Sequence, residues 1–531
     1  MEKFSHSTAV PVQMICFSFT VFVAVVSASI STHGATAPQN PGFQARITEK
    51  ALAYAASEAI NALSGKVTGM KIPDQSGEAS HIHYEINGMT ITSFTKPSGG
   101  ITPVPNQGLR WSVTGAGIAM KGNWHYKYKK GWIKISDHGS FDASANGISF
   151  SLIMNIGKDS NGRPNLTATG GSCSISSVHI KFHGGASWIY NLFSGTIEGK
   201  IKGILQEKLI QIVKEAVNVD GEKDLQKLPV AVVLAKKFLL DYSLISTPTF
   251  TSTYMETHHK GEIFWNGDKT EAPFQPEPIP ENKDTSKMVY LWLSDYMANS
   301  MGYTALKHGY LKYNFSSQDL PPANRSILNT TCTGLKCIGI IIPQIGKMYP
   351  NSQLKLNMIG TKAPVLSISD GSLKVNGSGI VNIYVQKKGK ADILVLTLNV
   401  TLGFTTQASL KGQLLYAKIS KPLLKLEVFK SNIGNISGSA IQTMMELAID
   451  MVVFPQLNAQ GSKGLVLPVT DDIQLSNSQL IIQKHSLMIA TDLIYKPKIQ
   501  TDHDAINHAN IQYKRPIFQV VRNNMNMPKP L

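Results

Sequence analysis

The chain has 531 residues, of which 42% are hydrophobic and 16% are charged, and its formal net charge at pH 7 is +16. This length leaves room for two or more domains with large cores, and the apolar share is ordinary for a globular protein. The excess of positive charge favours an anionic partner: nucleic acid, an anionic membrane surface, or a polyanionic lipid or glycan.

The first predicted element is a secretory signal peptide over residues 1–28. An apolar run from Met14 to Val26 follows Lys3, and small residues come next at "SAS", with cleavage expected near Ala28. The alternative is a membrane anchor, but this run and every later one are shorter than the ~20 apolar residues that span a bilayer. We therefore expect a secreted, extracellular and soluble protein, and this compartment excludes a chromosomal nucleic-acid partner.

The next elements form a predicted first domain over residues 40–265. A helix is expected in "ITEKALAYAASEAINALSGKV", where one stripe consists mostly of alanine. Strands are expected in "GISFSLIMNIG" and "SVHIKF", because apolar residues alternate with polar or small ones. A long amphipathic helix is predicted from Ser187 to Val217.

A strongly basic stretch, "GNWHYKYKKGWIKI" (Gly122 to Ile135), lies within this domain and contains no acid. A turn at Lys130-Gly131 predicts a hairpin in which Lys127 faces Lys134. One side would carry Tyr126, Tyr128, Ile133 and Ile135, and the other Lys127, Lys129, Trp132 and Lys134, with Lys130 at the tip. Because like charges that face each other repel, we expect an anion to bridge them; the alternative is a solvated outer face.

The second half repeats this order of elements. A Pro-rich linker is predicted at 266–285, a second domain at 286–495, and a basic tail at 496–531. Within the second domain we expect a helix in "KMVYLWLSDYMANSMG", a strand in "LVLTLNVTLGF" and a further helix from Ser437 to Val453. The shared order predicts an internal structural repeat.

The cysteines and sequons agree with an exported protein. Cys16 leaves with the signal peptide, and Cys332 and Cys337 in "CTGLKC" could close a short disulfide loop, although two free thiols are the alternative. Cys173 then has no obvious partner. Seven N-x-S/T sequons are predicted glycosylation sites: Asn165, Asn314, Asn324, Asn329, Asn376, Asn399 and Asn435.

Catalytic and metal-binding motifs give no support to an enzyme. The chain contains neither G-x-S-x-G nor H-E-x-x-H, so an unrecognised hydrolase is only a minor alternative. His81 and His83 in "HIH" could form a metal pair, but no third ligand is evident nearby, which favours surface histidines. We therefore expect a protein that is not an enzyme and has no metal or cofactor.

A series of segments resembles the family of bactericidal/permeability-increasing protein and lipopolysaccharide-binding protein. In chain order they are "NPGFQARITEKALAYA", "MKIPD", "MKGNWHYKYKKGWIKISDHGSFD", "SCSISSVHIKF", "MVYLWLSDYMANSMG", "KSNIG" and "LIYK". The resemblance covers nearly all of residues 40–496.

The resemblance implies an α+β fold, an elongated boomerang of two pseudo-symmetric, twisted antiparallel β-barrels with long helices, joined by a central sheet. It also implies an apolar pocket with one phospholipid per domain, walled by residues such as Ile197, Ile201 and Leu205. The lysines that bind lipid A phosphates in the family map onto Lys66, Lys71, Lys127, Lys129, Lys130 and Lys134, with Trp132 beside them. One departure concerns Cys173, because Ile210 occupies the position where the family has its partner cysteine.

The function implied by this resemblance is binding of lipopolysaccharide of Gram-negative bacteria through lipid A. We expect a secreted, antibacterial or endotoxin-neutralising protein, a monomer whose partners are lipopolysaccharide, phospholipid and the Gram-negative outer membrane. The alternative is a plasma or haemolymph phospholipid- or cholesteryl-ester-transfer protein with the same fold. The basic, aromatic hairpin favours the first interpretation, because a lipid carrier needs pockets but no cationic tip.

Overall fold

The computed structural model describes residues 40–69, 71–79, 81–184, 187–226, 229–234, 236–332, 337–387, 389–420, 423–450, 454–467 and 473–496. The predicted signal peptide and the predicted tail beyond Lys496 lie outside these residues.

The first half is built on one large antiparallel sheet. The sheet has the order β2-β3-β5-β6-β7, with β4 beside β5 and β8 beside β6. The elements that build it, with the strand and helix that precede it, are β1 (Phe43–Thr48), α1 (Glu49–Val67), β2 (Gln75–Ala79), β3 (Ile82–Thr95), β4 (Ser98–Val104), β5 (Gly108–Lys130), β6 (Ile133–Lys158), β7 (Pro164–Ser174) and β8 (Ser177–His183).

A long helix, α2 (Ser187–Glu215), covers the inner face of this sheet and confirms the predicted helix. Ile201 and Leu205, one helical turn apart, are buried in the same core as Ile118 and Phe141 of the sheet. The helix continues through a π-helical turn (Ala216–Gly221) into α3 (Glu222–Gln226). The connection to the middle of the molecule is β9 (Ala231–Leu234), β10 (Phe238–Asp241), β11 (Thr249–Phe250), β12 (Tyr254–His259) and β13 (Glu262–Trp265).

The second half has its own seven-stranded antiparallel sheet with the order β15-β16-β17-β18-β19-β21, in which β20 also pairs with β18. The helices and strands of the second half as a whole are β14 (Val289–Ser294), α4 (Asp295–Lys307), β15 (Lys312–Phe315), α5 (Ile338–Ile341), α6 (Pro343–Met348), β16 (Gln353–Ser369), β17 (Ser372–Gln386), β18 (Ile393–Lys411), β19 (Leu414–Ile419), β20 (Leu423–Ser431), α7 (Gly438–Ala448), α8 (Phe454–Lys463), β21 (Leu465–Val466), β22 (Ile473–Gln483) and β23 (Ser486–Tyr495).

A central sheet joins the two halves. Its order, β11-β12-β1-β14-β23-β22, brings together strands from the beginning, the middle and the end of the described chain, so that β1 pairs with β12 on one side and with β14 on the other. Ile47, Leu291 and Ile489 from this sheet lie in one core with residues of the first-half sheet. The predicted α+β class and the connecting sheet are confirmed.

The central sheet corrects one predicted helix. Residues from Lys287 onward were expected to be helical, but Val289–Ser294 form β14, and the helix begins only at Asp295. Tyr290 and Trp292 are completely buried on one face of this strand and Leu291 is buried on the other. A strand that is buried on both faces is apolar throughout and shows no alternation that would distinguish it from a buried helix.

In both halves the side chain of a helical asparagine accepts a hydrogen bond from the backbone of a strand, which supports the predicted repeat. In the first half, Asn218 Oδ1 in the π-helical turn accepts a hydrogen bond from the Ala168 backbone of β7, at 2.6 Å. In the second half, Asn458 Oδ1 of α8 accepts one from the Ile419 backbone of β19, at 2.8 Å. In each case a helical side chain satisfies a backbone donor of a strand, which helps to protect exposed strand edges from pairing with another chain.

Candidate anion-binding hairpin

Strands β5 and β6 form a long hairpin whose turn differs from the predicted one. Lys130 pairs with Ile133, so Gly131 and Trp132 are the two loop residues instead of Lys130 and Gly131. Gly131 has φ +60°, and a type II′ hairpin turn requires glycine at this first loop position. The predicted pairing of Lys127 with Lys134 is therefore wrong: Lys129 faces Lys134, and Lys127 faces Ser136.

The predicted distribution of side chains over the two faces nevertheless holds for the strand residues. The register differs from the predicted one by two residues, and side chains repeat every two residues along a strand. Tyr126 is 2% exposed and packs into the first-half core, whereas Lys127, Lys129 and Lys134 are exposed on the opposite face. The inner face of the hairpin is thus anchored, and its outer face carries charge.

The tip of the hairpin combines cationic and apolar side chains. Trp132 is 91% exposed, and Ile133 and Ile135 are 40% and 41% exposed. Lys130, at the last position of β5, is exposed beside them. Within the part of the chain that the structure describes, no carboxylate lies within 4 Å of the ammonium groups of the hairpin lysines, so these charges are available to an external anion.

The structure does not bring every predicted lysine to this tip. Lys71 is exposed and bridges to Thr90, whose partner on β5 is Lys121. Lys121 precedes Lys129 by eight residues, which places Lys71 about 26 Å from the tip at the usual rise of ~3.3 Å per strand residue. Lys66 belongs to the last turn of α1, and its side chain lies outside the described residues.

Two of the residues predicted to line a lipid pocket belong to the interior of the first half. Ile201 and Leu205 are buried against the sheet, and the side chain of Ile197 lies outside the described part of the chain. In the second half, Met444 and Ile449 occupy the corresponding position between helix and sheet. Both helices present an apolar face to their own sheet, but pocket-lining stays a prediction.

The cysteines are arranged as the sequence predicts. Cys332 and Cys337 form a disulfide, and Cys173 is a free thiol. Burial raises the pKa of Cys173 above its usual value. The helix that would hold its family partner is close by, because Gln206 Nε2 of α2 donates to the Cys173 carbonyl oxygen at 3.0 Å. The helix is thus tethered to β7 by a hydrogen bond instead of a disulfide.

The predicted sequons are all at least partly exposed, which is compatible with glycosylation but does not test it. Likewise, His81 and His83 are at the surface, and the described residues contain no cluster of three side chains that could hold a metal ion.

Sequence reasoning missed a row of histidines on the outer face of the same sheet. His125 faces His138 across the hairpin, and His83 faces Lys127. The spacing of two residues between His125, Lys127 and Lys129 is the signal that could have placed them on one face.

Known proteins match this architecture along most of the chain. The N-terminal domain of the LBP / BPI / CETP family matches residues 51–227, and the C-terminal domain of the same family matches residues 233–495. The chain belongs to this family.

Two relatives and one solved structure show how far the likeness to other LBP / BPI / CETP proteins extends. Lipopolysaccharide-binding protein of Homo sapiens is 29% identical over 461 residues, or 86% of this chain and 94% of that protein. Bactericidal permeability-increasing protein of Sebastes schlegelii is 27% identical over 485 residues, which is 90% of this chain and 99% of that protein. A crystal structure of lipopolysaccharide binding protein, 27% identical, covers 86% of this chain and 100% of that one with a TM-score of 0.58.

The match to that crystal structure agrees with the fold class inferred from the sequence. Among the helices that the structure describes, none is both long and apolar enough to cross a membrane.

Proposed function

We propose that this protein is a secreted defence protein that binds the lipopolysaccharide of Gram-negative bacteria through lipid A and thereby acts against bacteria or neutralises endotoxin. It acts by binding and is not an enzyme. The observation that carries the proposal is the exposed pair of Lys129 and Lys134 beside the exposed Trp132. The names of the relatives, lipopolysaccharide-binding protein and bactericidal permeability-increasing protein, point to the same ligand.

The chemistry of lipid A fits the two kinds of side chain at the tip. Directly opposed strand residues have Cα atoms about 4.5–5.5 Å apart, so the ammonium groups of Lys129 and Lys134 can converge on one phosphate. Each such contact is a charge-assisted hydrogen bond, the stronger kind. Without a ligand the two charges repel, so a bound anion turns a repulsive pair into an attractive cluster.

The apolar side chains at the tip suit the other part of the ligand. Trp132 at the turn, together with Ile133 and Ile135 on the hairpin face opposite Lys129 and Lys134, adds exposed apolar surface at the tip, where acyl chains attached to the phosphate-bearing sugar would lie. Burial of apolar surface contributes about 25 cal/mol per Å². A ligand with phosphate alone would gain only the electrostatic part, so the site favours an anion that carries hydrocarbon.

The interior of each half supports a second part of the proposal, bound phospholipid, one molecule per domain. The inner faces of α2 and α7 present Leu205 and Met444 to their sheets. Phospholipid and the outer membrane are the lipid partners that this proposal adds to lipopolysaccharide, and the protein would act as a monomer.

Binding of the intact secreted protein to vesicles that contain lipid A, phosphatidylcholine or cholesteryl ester, each over a range of salt concentrations, tests the proposal. We expect a clear preference for lipid A that weakens as salt rises, because the lysines are exposed and therefore screened. Equal binding to all three lipids without dependence on salt would contradict it and would indicate a lipid-transfer protein instead.

A further inference from the structure

The outer face of the first-half sheet, next to the hairpin tip, carries histidines that the proposed function does not use. By register, His83 of β3, His125 of β5 and His138 of β6 share this face with Lys127, Lys129 and Lys134. The patch spans three adjacent strands, about 10 Å across, and about 13 Å along β5 from His125 to Lys129. We define these six residues as the imidazole–lysine face.

The neighbours of each imidazole are defined by the strand pairing. His83 faces Lys127 on β5 and lies 3.9 Å from Glu78 of β2 and 3.5 Å from Glu85 on its own strand. The carbonyl oxygen of His81, in the turn before β3, accepts a hydrogen bond from the Lys129 backbone, so a fourth histidine borders the face.

The other two imidazoles face each other. His125 lies 3.5 Å from Glu85 and is opposite His138. Two residues beyond His138 on β6 is Ser140, which pairs with His183 of β8. His183 is already bound to Asp142 at 2.8 Å, and we therefore leave it out of the face.

Acidification makes the net charge of this face more positive. Near neutral pH its three lysines are accompanied by two carboxylates, Glu78 and Glu85. A hydrogen bond with His125 lowers the pKa of Glu85, and nearby positive charges outweigh the opposing effect of desolvation, so this carboxylate keeps its charge in mild acid. Imidazole is the side chain whose charge ordinarily changes between pH 5 and 8. Protonation of three imidazoles would double the number of cations.

We propose that the imidazole–lysine face binds the phosphate headgroups of an anionic lipid layer, next to the hairpin tip, and that it binds them more tightly in mild acid. This inference rests on the proposed function and adds a regulation to it. The tip lysines engage the layer at neutral pH, and the imidazoles add contacts when they are protonated. His125 and His138 face each other and repel when both are charged, so an anion between them relieves the same kind of repulsion as at Lys129 and Lys134.

The test is a comparison of vesicle affinity at pH 7.5 and pH 5.5. Vesicles with phosphatidylglycerol are the main probe, because a phosphodiester keeps its charge over this range, whereas the phosphomonoesters of lipid A take up a proton near pH 6. One cationic residue near an anionic bilayer changes affinity roughly fivefold. With three imidazoles, we expect wild-type protein to bind on the order of tenfold or more tightly at pH 5.5 than at pH 7.5.

Two variants and one control assign this effect. His83→Gln/His125→Gln/His138→Gln should bind equally weakly at both pH values, and His83→Lys/His125→Lys/His138→Lys should bind equally tightly at both. His258→Gln, in the central sheet and outside the face, should keep the wild-type ratio. A wild-type ratio near one, or a ratio that persists in the glutamine variant, would overturn the inference. Failure of wild-type protein to bind lipid A at pH 7.5 would instead contradict the proposed function.

Discussion

Replacement of Arg46 by methionine should destabilise the sheet that joins the two halves. The Arg46 side chain is 4% exposed, and its Nη2 lies 2.7 Å from Glu256 Oε2. Its guanidinium also lies over the Tyr254 ring, 4.0 Å from the centroid, and donates to the Asn282 carbonyl oxygen in the predicted linker. One side chain therefore connects β1, β12 and the segment between the halves.

The expected loss is large because the change leaves its partner charged and buried. Loss of one member of a buried ion pair costs about 3–5 kcal/mol in the free energy of unfolding. At roughly 2 °C per kcal/mol for a large domain, the apparent Tm should fall by on the order of 5–10 °C. The control is Arg110→Met: Arg110 is an exposed residue of β5, and its replacement should change Tm by little.

The pH dependence gives a second readout. Burial favours a raised pKa for Glu256, but the hydrogen bond with His258 and the charge of Arg46 outweigh it and hold the pKa below its ordinary value. A lowered carboxyl pKa stabilises the fold at neutral pH, and this contribution is lost as pH falls. Without Arg46 the pKa of Glu256 should rise, so the stability difference between wild type and variant should narrow from pH 7 towards pH 4. A stability difference between wild type and variant that stays constant from pH 7 to pH 4 would refute this reasoning. Tm values of wild type and variant within 1 °C of each other at pH 7 would refute it too.

Two further predictions concern the thiols and the interior. Alkylation of unreduced, denatured protein should label Cys173 alone, and labelling in the folded state should be slow near pH 8, because burial raises the thiol pKa; Cys173 in a disulfide with Cys332 or Cys337 would contradict the assignment. Native mass spectrometry before and after delipidation should differ by about two phospholipid masses, one for each apolar helix–sheet interior. An unchanged mass without extractable lipid would contradict the presence of pockets.

The sequence predicted the faces of the basic hairpin but not its register. Alternation along a strand determines which side chains share a face, and a shift of two residues leaves that division unchanged. The register depends on which residue occupies the position with positive φ, and "KKGW" allows Gly131 to be either the first or the second loop residue. The prediction that two lysines face each other across the hairpin is therefore correct, but the lysine that faces Lys134 is Lys129 and not Lys127.

Other features could not be derived because they depend on distant segments. The strand at Val289–Ser294 pairs with β1 and β23, which come from opposite ends of the described chain. Its faces are buried by distant segments, because Leu291 packs in the core that contains first-half sheet residues, and Tyr290 and Trp292 pack with Ile279 of the predicted linker. The distance between Lys71 and the tip follows from its bridge to Thr90, far along β5 from the turn. The imidazole–lysine face likewise requires the pairing of three strands, which no local pattern supplies.

The most direct test of the central claim is the affinity for lipid A after charge reversal at the facing lysines. Lys129→Glu/Lys134→Glu removes two charge-assisted contacts, each worth roughly 1.5–3 kcal/mol, which corresponds to a loss of about a hundredfold or more. The matched control is Lys374→Glu/Lys425→Glu, which changes the net charge equally at two exposed lysines of the second-half sheet. We predict that the tip variant loses this affinity at physiological salt with its circular dichroism unchanged, while the control binds nearly as wild type. Equal binding by wild type and the tip variant would contradict the claim that these lysines hold the ligand.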